Sequence, residues 1–105
     1  MSRSSPLRSQ YADDPEMKEL VEMFVAELPD RLRALREAWA EGRLDVLQRM
    51  AHQLRGSSGG YGFPDIGDAA SRVERALSDS ASSGAETLKR EIDALSSLCD
   101  RASRR

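Results

Sequence analysis

The sequence of 105 residues holds a single histidine, His52, and a single cysteine, Cys99. His52 lies in the run His52-Gln53-Leu54-Arg55-Gly56-Ser57-Ser58. Each helical residue turns about 100° about the helix axis. With Leu47 at zero, Leu44, Ala51, Leu54 and Ser58 fall within about 60° of it, and His52 falls about 140° away. The apolar stripe therefore leaves the imidazole on the solvent face, beside Asp45, Gln48, Arg49, Gly56 and Gly59, with Arg55 at the flank. A lone histidine on a polar helix face is ordinarily just a solvated side chain. These neighbours suggest more. Gly56 stands one turn beyond His52 on the same face. A helical glycine costs about 1 kcal/mol relative to alanine, so its bare surface asks for a use. Arg55 brings a permanent positive charge within reach of the same spot. An imidazole, a nearby cation and an uncrowded approach are what a nitrogen nucleophile for phosphoryl groups requires.

Other reactive-looking residues read more plainly. Gly56-Ser57-Ser58-Gly59-Gly60 matches the G-x-S-x-G elbow of serine hydrolases. The elbow needs a preceding strand and a later histidine, and the sequence offers neither. The run also lacks the Gly-Lys-Ser/Thr ending of a phosphate-binding loop. Ser57 and Ser58 are expected to pack or cap near a helix end. Cys99 shares an apolar stripe with Leu88, Ile92 and Leu95, which points to the core rather than to redox chemistry. Trp39 is expected at the core or the bundle end. One cysteine and one histidine cannot build a structural zinc site, and no cofactor or metal is expected.

The elements that must position His52 are helical. Residues 1–12 are polar and Ser/Arg-rich, and read as a flexible tail ahead of a domain over residues 13–103. Asp14-Pro15 predicts an N-cap followed by proline at the first helical position. Met17, Leu20, Val21, Phe24, Val25 and Leu28 then recur at helical spacing. Pro29 is expected to break or restart that helix, and Leu32, Leu35, Ala38 and Trp39 to mark another that stops near Gly42. The helix with Leu44, Leu47, Ala51 and Leu54 follows, its end blurred by the glycines. Pro64-Asp65 opens a helix with Ile66, Ala69, Ala70, Val73, Ala76 and Leu77 on one face. Residues 78–84 are a polar connector. Ser83 and Glu86 have capping-box spacing before a last helix along Leu88, Ile92, Leu95, Cys99 and Ala102.

Composition agrees. Aromatic residues are 5% and charged residues 32%, which favours helices over sheets. The net charge of −2 gives no general pull toward nucleic acid. Arg101, Arg104 and Arg105 read as a solvated basic end. No apolar run is long enough to span a membrane, and residues 1–14 lack the apolar core of a secretory signal. A single cysteine suits a reducing compartment, so a cytoplasmic location is expected. At this length one domain fits, and a doubly wound enzyme or a barrel does not.

The stretch from Ala51 to Ser58, with Gly62 ten residues after the histidine, closely resembles the signature of histidine-containing phosphotransfer domains, His-x-Leu-Lys-Gly-Ser-Ser/Ala. The Leu28-to-Leu32 junction and the helix returning after Gly62 are similar to the family as well. The resemblance implies an all-α fold: an antiparallel four-helix bundle with an additional N-terminal helix. It implies a phosphocarrier, not a complete enzyme, in a two-component phosphorelay. His52 would take and return a phosphoryl group in exchange with an aspartate of a receiver domain, in a response regulator or a hybrid histidine kinase. Arg55 would stabilise the phosphate from the position where the family has lysine. Gly56, Gln48, Arg49 and Gly59 would form the docking surface of a monomer. The Mg²⁺ and acidic pocket would come from the receiver. The competing expectation is a helical interaction module that binds a partner without carrying phosphate.

Overall fold

The structure is a computed structural model and describes residues 7–78 and 80–103. Four helices follow in order: α1 (Lys18–Ala40), α2 (Leu44–Gly60), α3 (Pro64–Ser78) and α4 (Ser80–Ser103). Each packs on its two neighbours around the bundle, α4 closing back on α1. Short turns between successive helices make the arrangement up-down-up-down. No described helix is long and apolar enough to cross a membrane.

The expected break at Pro29 does not occur. Proline inside a helix removes one backbone bond and crowds the preceding turn, at a cost of about 3 kcal/mol or more. Here Val21, Phe24, Val25, Leu28, Leu35 and Ala38 form one unbroken buried stripe across it, and Pro29 itself faces solvent. Packing on both sides of the proline outweighs the local penalty. The separate N-terminal helix is thus not seen among the described residues, and the two predicted helices are one. Asp14 does not cap α1: its Oδ1 accepts from the Glu16 N–H at 2.9 Å within the turn of residues 15–17, and α1 begins at Lys18 with Met17 at the N-cap and no side-chain cap there.

Glycines end the first two helices. Gly42 (φ 73°) and Gly62 (φ 86°) adopt the left-handed backbone that closes a helix with minimal strain. At the second stop the Phe63 N–H reaches back to the Ser58 carbonyl at 2.8 Å, so α2 runs straight through the glycine-rich stretch before ending. Gly84 (φ 78°, ψ 172°) interrupts α4 within the expected connector. The Ser83 side chain, and with it the expected capping pair, lies outside the described residues, as do Arg104 and Arg105.

The core centres on Leu28, Leu47, Ile66, Val73, Ile92 and Leu95. Cys99 is buried among these apolar side chains, and burial pushes its thiol up to about 12, which leaves it protonated and inert. Trp39 is half-buried against the core, and Phe24 stacks on Tyr61 at 4.9 Å and on Phe63 at 5.7 Å. Leu20 and Leu44, placed on apolar stripes by spacing, are exposed instead.

Residues 7–12, read as tail from the sequence, lie against the bundle. The Leu7 N–H donates to the Arg101 carbonyl at 3.0 Å, and the Gln10 N–H donates to the Gly62 carbonyl at 2.8 Å. Ser9 Oγ donates to the Tyr61 carbonyl at 2.6 Å and accepts from the Tyr11 N–H at 2.9 Å. Residues 1–6 lie outside the described part. A methyl group at Gly62 would collide with Ser9 Oγ and the Gln10 nitrogen, whereas one at Gly42 would meet nothing within 4 Å. Gly42→Ala is therefore expected to cost only the backbone strain, about 1 kcal/mol. Gly62→Ala should cost about 2 kcal/mol or more, lowering Tm by about 10 °C or more. Thermal melts of the two variants, with equal losses as the contrary result, check that this strap is docked.

Candidate functional site

His52 sits in the middle of α2, with 63% of its side chain exposed. The residues that hold α2 down are Leu47, Ala51, Leu54 and Ser58, all buried. The predicted face is therefore the observed one. Gln48, Arg49, Gly56 and Gly59 are exposed on it, as expected. A Cβ built on Gly56 or Gly59 would meet nothing within 4 Å, so the surface beside the imidazole is bare. Ser57 Oγ is tied back to the Gln53 carbonyl at 2.9 Å, and Ser58 is fully buried. Neither serine has the environment of a nucleophile.

One residue that spacing within α2 could not reveal completes the site. Glu74, on α3, places Oε2 3.0 Å from His52 Nδ1 and pairs through Oε1 with Arg55 Nε. Only 19% of the Glu74 side chain is exposed. Its placement follows from helix packing. Gly67 lies two turns before Glu74 on the same side of α3, and its missing side chain lets α3 approach the α2 backbone. A methyl there would stand 3.4 Å from the Arg55 carbonyl and 3.8 Å from Ser58 Cβ, in ordinary contact, and a longer side chain would push the helices apart.

Arg55 Nη2 also lies 3.0 Å from His52 Nδ1. This contact and the Glu74 contact need opposite tautomers of a neutral ring. Glu74 requires a proton on Nδ1, and Arg55 requires a lone pair there. Burial decides between them. Arg55 is 46% exposed and its spare N–H groups can turn to water. Glu74 Oε2 has little water to turn to, and leaving it unpaired would be the costlier outcome. The proton thus sits on Nδ1 and the lone pair on Nε2, the nitrogen that faces away from α3.

Around the α2 axis, Arg55 stands about 60° to one side of His52, toward α3, and Arg49 about 60° to the other side. That other side leads to α1, whose Arg31 and Leu35 share a shallow groove with Met50, Gln53 and Leu54. A groove of about 530 Å³ lies between residues 7–13, α1, Phe63 and Ala102, and includes no residue of α2. His52 stands on an open ridge.

A model of the Hpt domain family matches residues 19–102. The chain belongs to the Hpt domain family. Membership places it in two-component phosphotransfer, in which such domains interact with receiver domains and act as carriers rather than catalysts. No curated protein and no solved structure matches the chain.

The tautomer is open to direct measurement. With His52 neutral, ¹⁵N–¹H correlation through the imidazole should show the proton on Nδ1. Glu74→Ala should return the ring to a mixture dominated by the Nε2–H form. A wild-type ring protonated on Nε2 would overturn the assignment.

Proposed function

We propose that this Hpt domain carries a phosphoryl group on Nε2 of His52, taking it from and returning it to a receiver-domain aspartate of a response regulator or hybrid histidine kinase. The observation that carries the reading is the Glu74–His52 pair on an exposed ridge. It leaves one nitrogen with a free lone pair facing solvent, beside a bare glycine, on a ridge that shares no residue with the groove of residues 7–13. A nucleophile set on a ridge is suited to entering the pocket of another macromolecule.

The chemistry follows from the groups present. Nε2 donates its lone pair to phosphorus as the P–O bond to the partner aspartate breaks, and the aspartate leaves as a carboxylate. The ring gains positive charge while Nδ1–H is still held by the Glu74 carboxylate, which offsets that charge. In the reverse step the aspartate carboxylate attacks and the electron pair returns to Nε2. The transferring group is loosely bonded on the way, so position and charge do most of the work. Arg55 is the phosphate-stabilising residue on the α3 side, and its charge acts across the ring. Gln48, Arg49, Gly56 and Gly59 form the docking surface. The chain acts as a cytoplasmic monomer and leaves Mg²⁺ binding to the receiver.

Three substitutions test this. His52→Gln should abolish phosphoryl acceptance from a phosphorylated receiver and leave the melt unchanged, because the side chain packs on nothing in the core. Gly56→Ala should stabilise α2 by about 0.5–1 kcal/mol through reduced backbone freedom in the unfolded chain. Gly56→Gln should melt near the wild-type temperature, since its side chain enters open space, yet transfer should fall steeply as the bare approach is filled. Paired melting and transfer assays read both effects. A His52→Gln protein that still takes one phosphoryl group would sink the proposal. A wild-type protein that binds the receiver without accepting phosphate would leave the non-phosphorylated interaction module as the function.

A further inference from the structure

We infer that Arg49, not Arg55, is the cation that directly contacts the phosphoryl group on His52, in a slot between Arg49 and Gly56. This rests on the carrier reading above and assigns a specific residue within it.

The first step concerns which arginine is free. Arg55 pairs with Glu74 through Nε, and its Nη2 lies 3.0 Å from His52 Nδ1. Both contacts lie on the Nδ1 side of the ring. A phosphoryl group on Nε2 projects from the opposite side. For Arg55 to grip it, the free N–H groups of the guanidinium would have to reach across the ring from the Glu74 side, where Nε is already paired. Arg49 is exposed and has no hydrogen bond or ion pair among the described residues.

The second step concerns direction. A helical side chain leans toward the N-terminus of its helix, over the turn that precedes it. The His52 ring therefore lies over the turn carrying Gln48 and Arg49. Nδ1 is drawn toward α3 by Glu74, so Nε2 faces the α1 side, where Arg49 stands about 60° round from His52 and Gly56 about 40° round. Arg49 and Gly56 bracket that side from the turn before and the turn after. The glycine leaves room for the three oxygens, and the arginine supplies a planar fork that can hold two of them. On the α3 side, by contrast, a phosphoryl group would meet the Glu74 carboxylate and be repelled.

The charges near this slot come from each surrounding element. On α2 they are Arg49, Arg55 and Asp45. On α3 they are Glu74 and Arg75, and on α1 Glu27 and Arg31, which pair with each other at 3.1 Å. Arg49 is the cation on the open side with no counter-charge already attached.

The test uses the whole chain phosphorylated by phosphoramidate, which needs no receiver, followed by ³¹P NMR of the phosphohistidine and its decay. Arg49→Ala should shorten the phosphohistidine lifetime by about tenfold, the effect of losing one charge-assisted contact. Its ³¹P shift should move, and transfer to a receiver should slow. Arg49→Lys should restore part of the lifetime, since it keeps the charge and loses the fork. Arg55→Ala should change the ring tautomer seen by ¹⁵N NMR less than Glu74→Ala does, and shorten the lifetime less than Arg49→Ala does. A wild-type lifetime and ³¹P shift in Arg49→Ala would overturn the inference while leaving His52 as the carrier. A greater loss in Arg55→Ala than in Arg49→Ala would do the same. If the wild-type chain forms no phosphohistidine with phosphoramidate or a receiver, the carrier reading fails and this inference fails with it.

Discussion

The close approach of α3 to α2 at Gly67 is the constraint on which the site depends. With no side chain at that position, the α3 backbone can lie against the Arg55 carbonyl and Ser58. Two turns further along the same side of α3, Glu74 then comes within hydrogen-bond reach of the only histidine. The contact is apolar and local, but it sets the separation between two helices along their length. Helices are stiff on this scale and packed cores do not deform continuously. A carboxylate held a few ångströms further off would be bridged by water and would no longer choose the tautomer. The chemistry of His52 therefore depends partly on a small residue at position 67 that touches neither the ring nor any phosphate, since a methyl there would still be in ordinary contact and only a longer side chain would part the helices.

The rest of the bundle keeps α2 from turning or sliding. Leu47, Ala51, Leu54 and Ser58 fix its rotation, so that His52 can face only outward. Tyr61, at its end, stacks on Phe24 of α1, and the strap of residues 7–12 is hydrogen-bonded to Tyr61 and Gly62. The exposed stretch with Gly56, Gly59 and Gly60 is intrinsically weak helix, since each glycine costs up to about 1 kcal/mol. Anchoring at the Tyr61–Phe63 end compensates for that weakness. Bare backbone at the functional face is tolerable because side chains at the helix end and on its buried face hold it in place.

What could be read from the sequence follows from how local each feature is. The exposure of His52 and the freedom around Gly56 depend on one helix and its period, and arithmetic on spacing recovers both. Glu74 depends on the register between two helices, which a single sequence does not state. Its only trace is position: it adjoins the apolar stripe of Ile66, Ala70, Val73 and Leu77, where a carboxylate needs a partner. Pro29 misled because its penalty is local and the apolar stripe that overrides it is packed against two neighbouring helices. The strap was hidden for a different reason. Residues 7–12 have no period, and they are held by backbone groups and one serine hydroxyl, which leave no pattern in side-chain hydrophobicity.

The charge balance of the site suits a carrier better than a binding pocket. Arg55 and Glu74 neutralise each other, which leaves Arg49 as the one unpaired cation beside His52 among the described residues. A cluster of free cations would hold the phosphoryl group more tightly and raise the barrier to giving it up. Uniform tightening of a bound group slows its release without helping the transfer step. Exposed arginines act through water, which screens them and limits each contact to a modest effect. In the proposed transfer, Glu74 adds stabilisation where positive charge develops on the ring, and that charge is present in either direction. On the proposed carrier reading, an open ridge, a half-buried carboxylate on one side and a solvated arginine on the other thus support the phosphoryl group while leaving it free to move to a receiver aspartate.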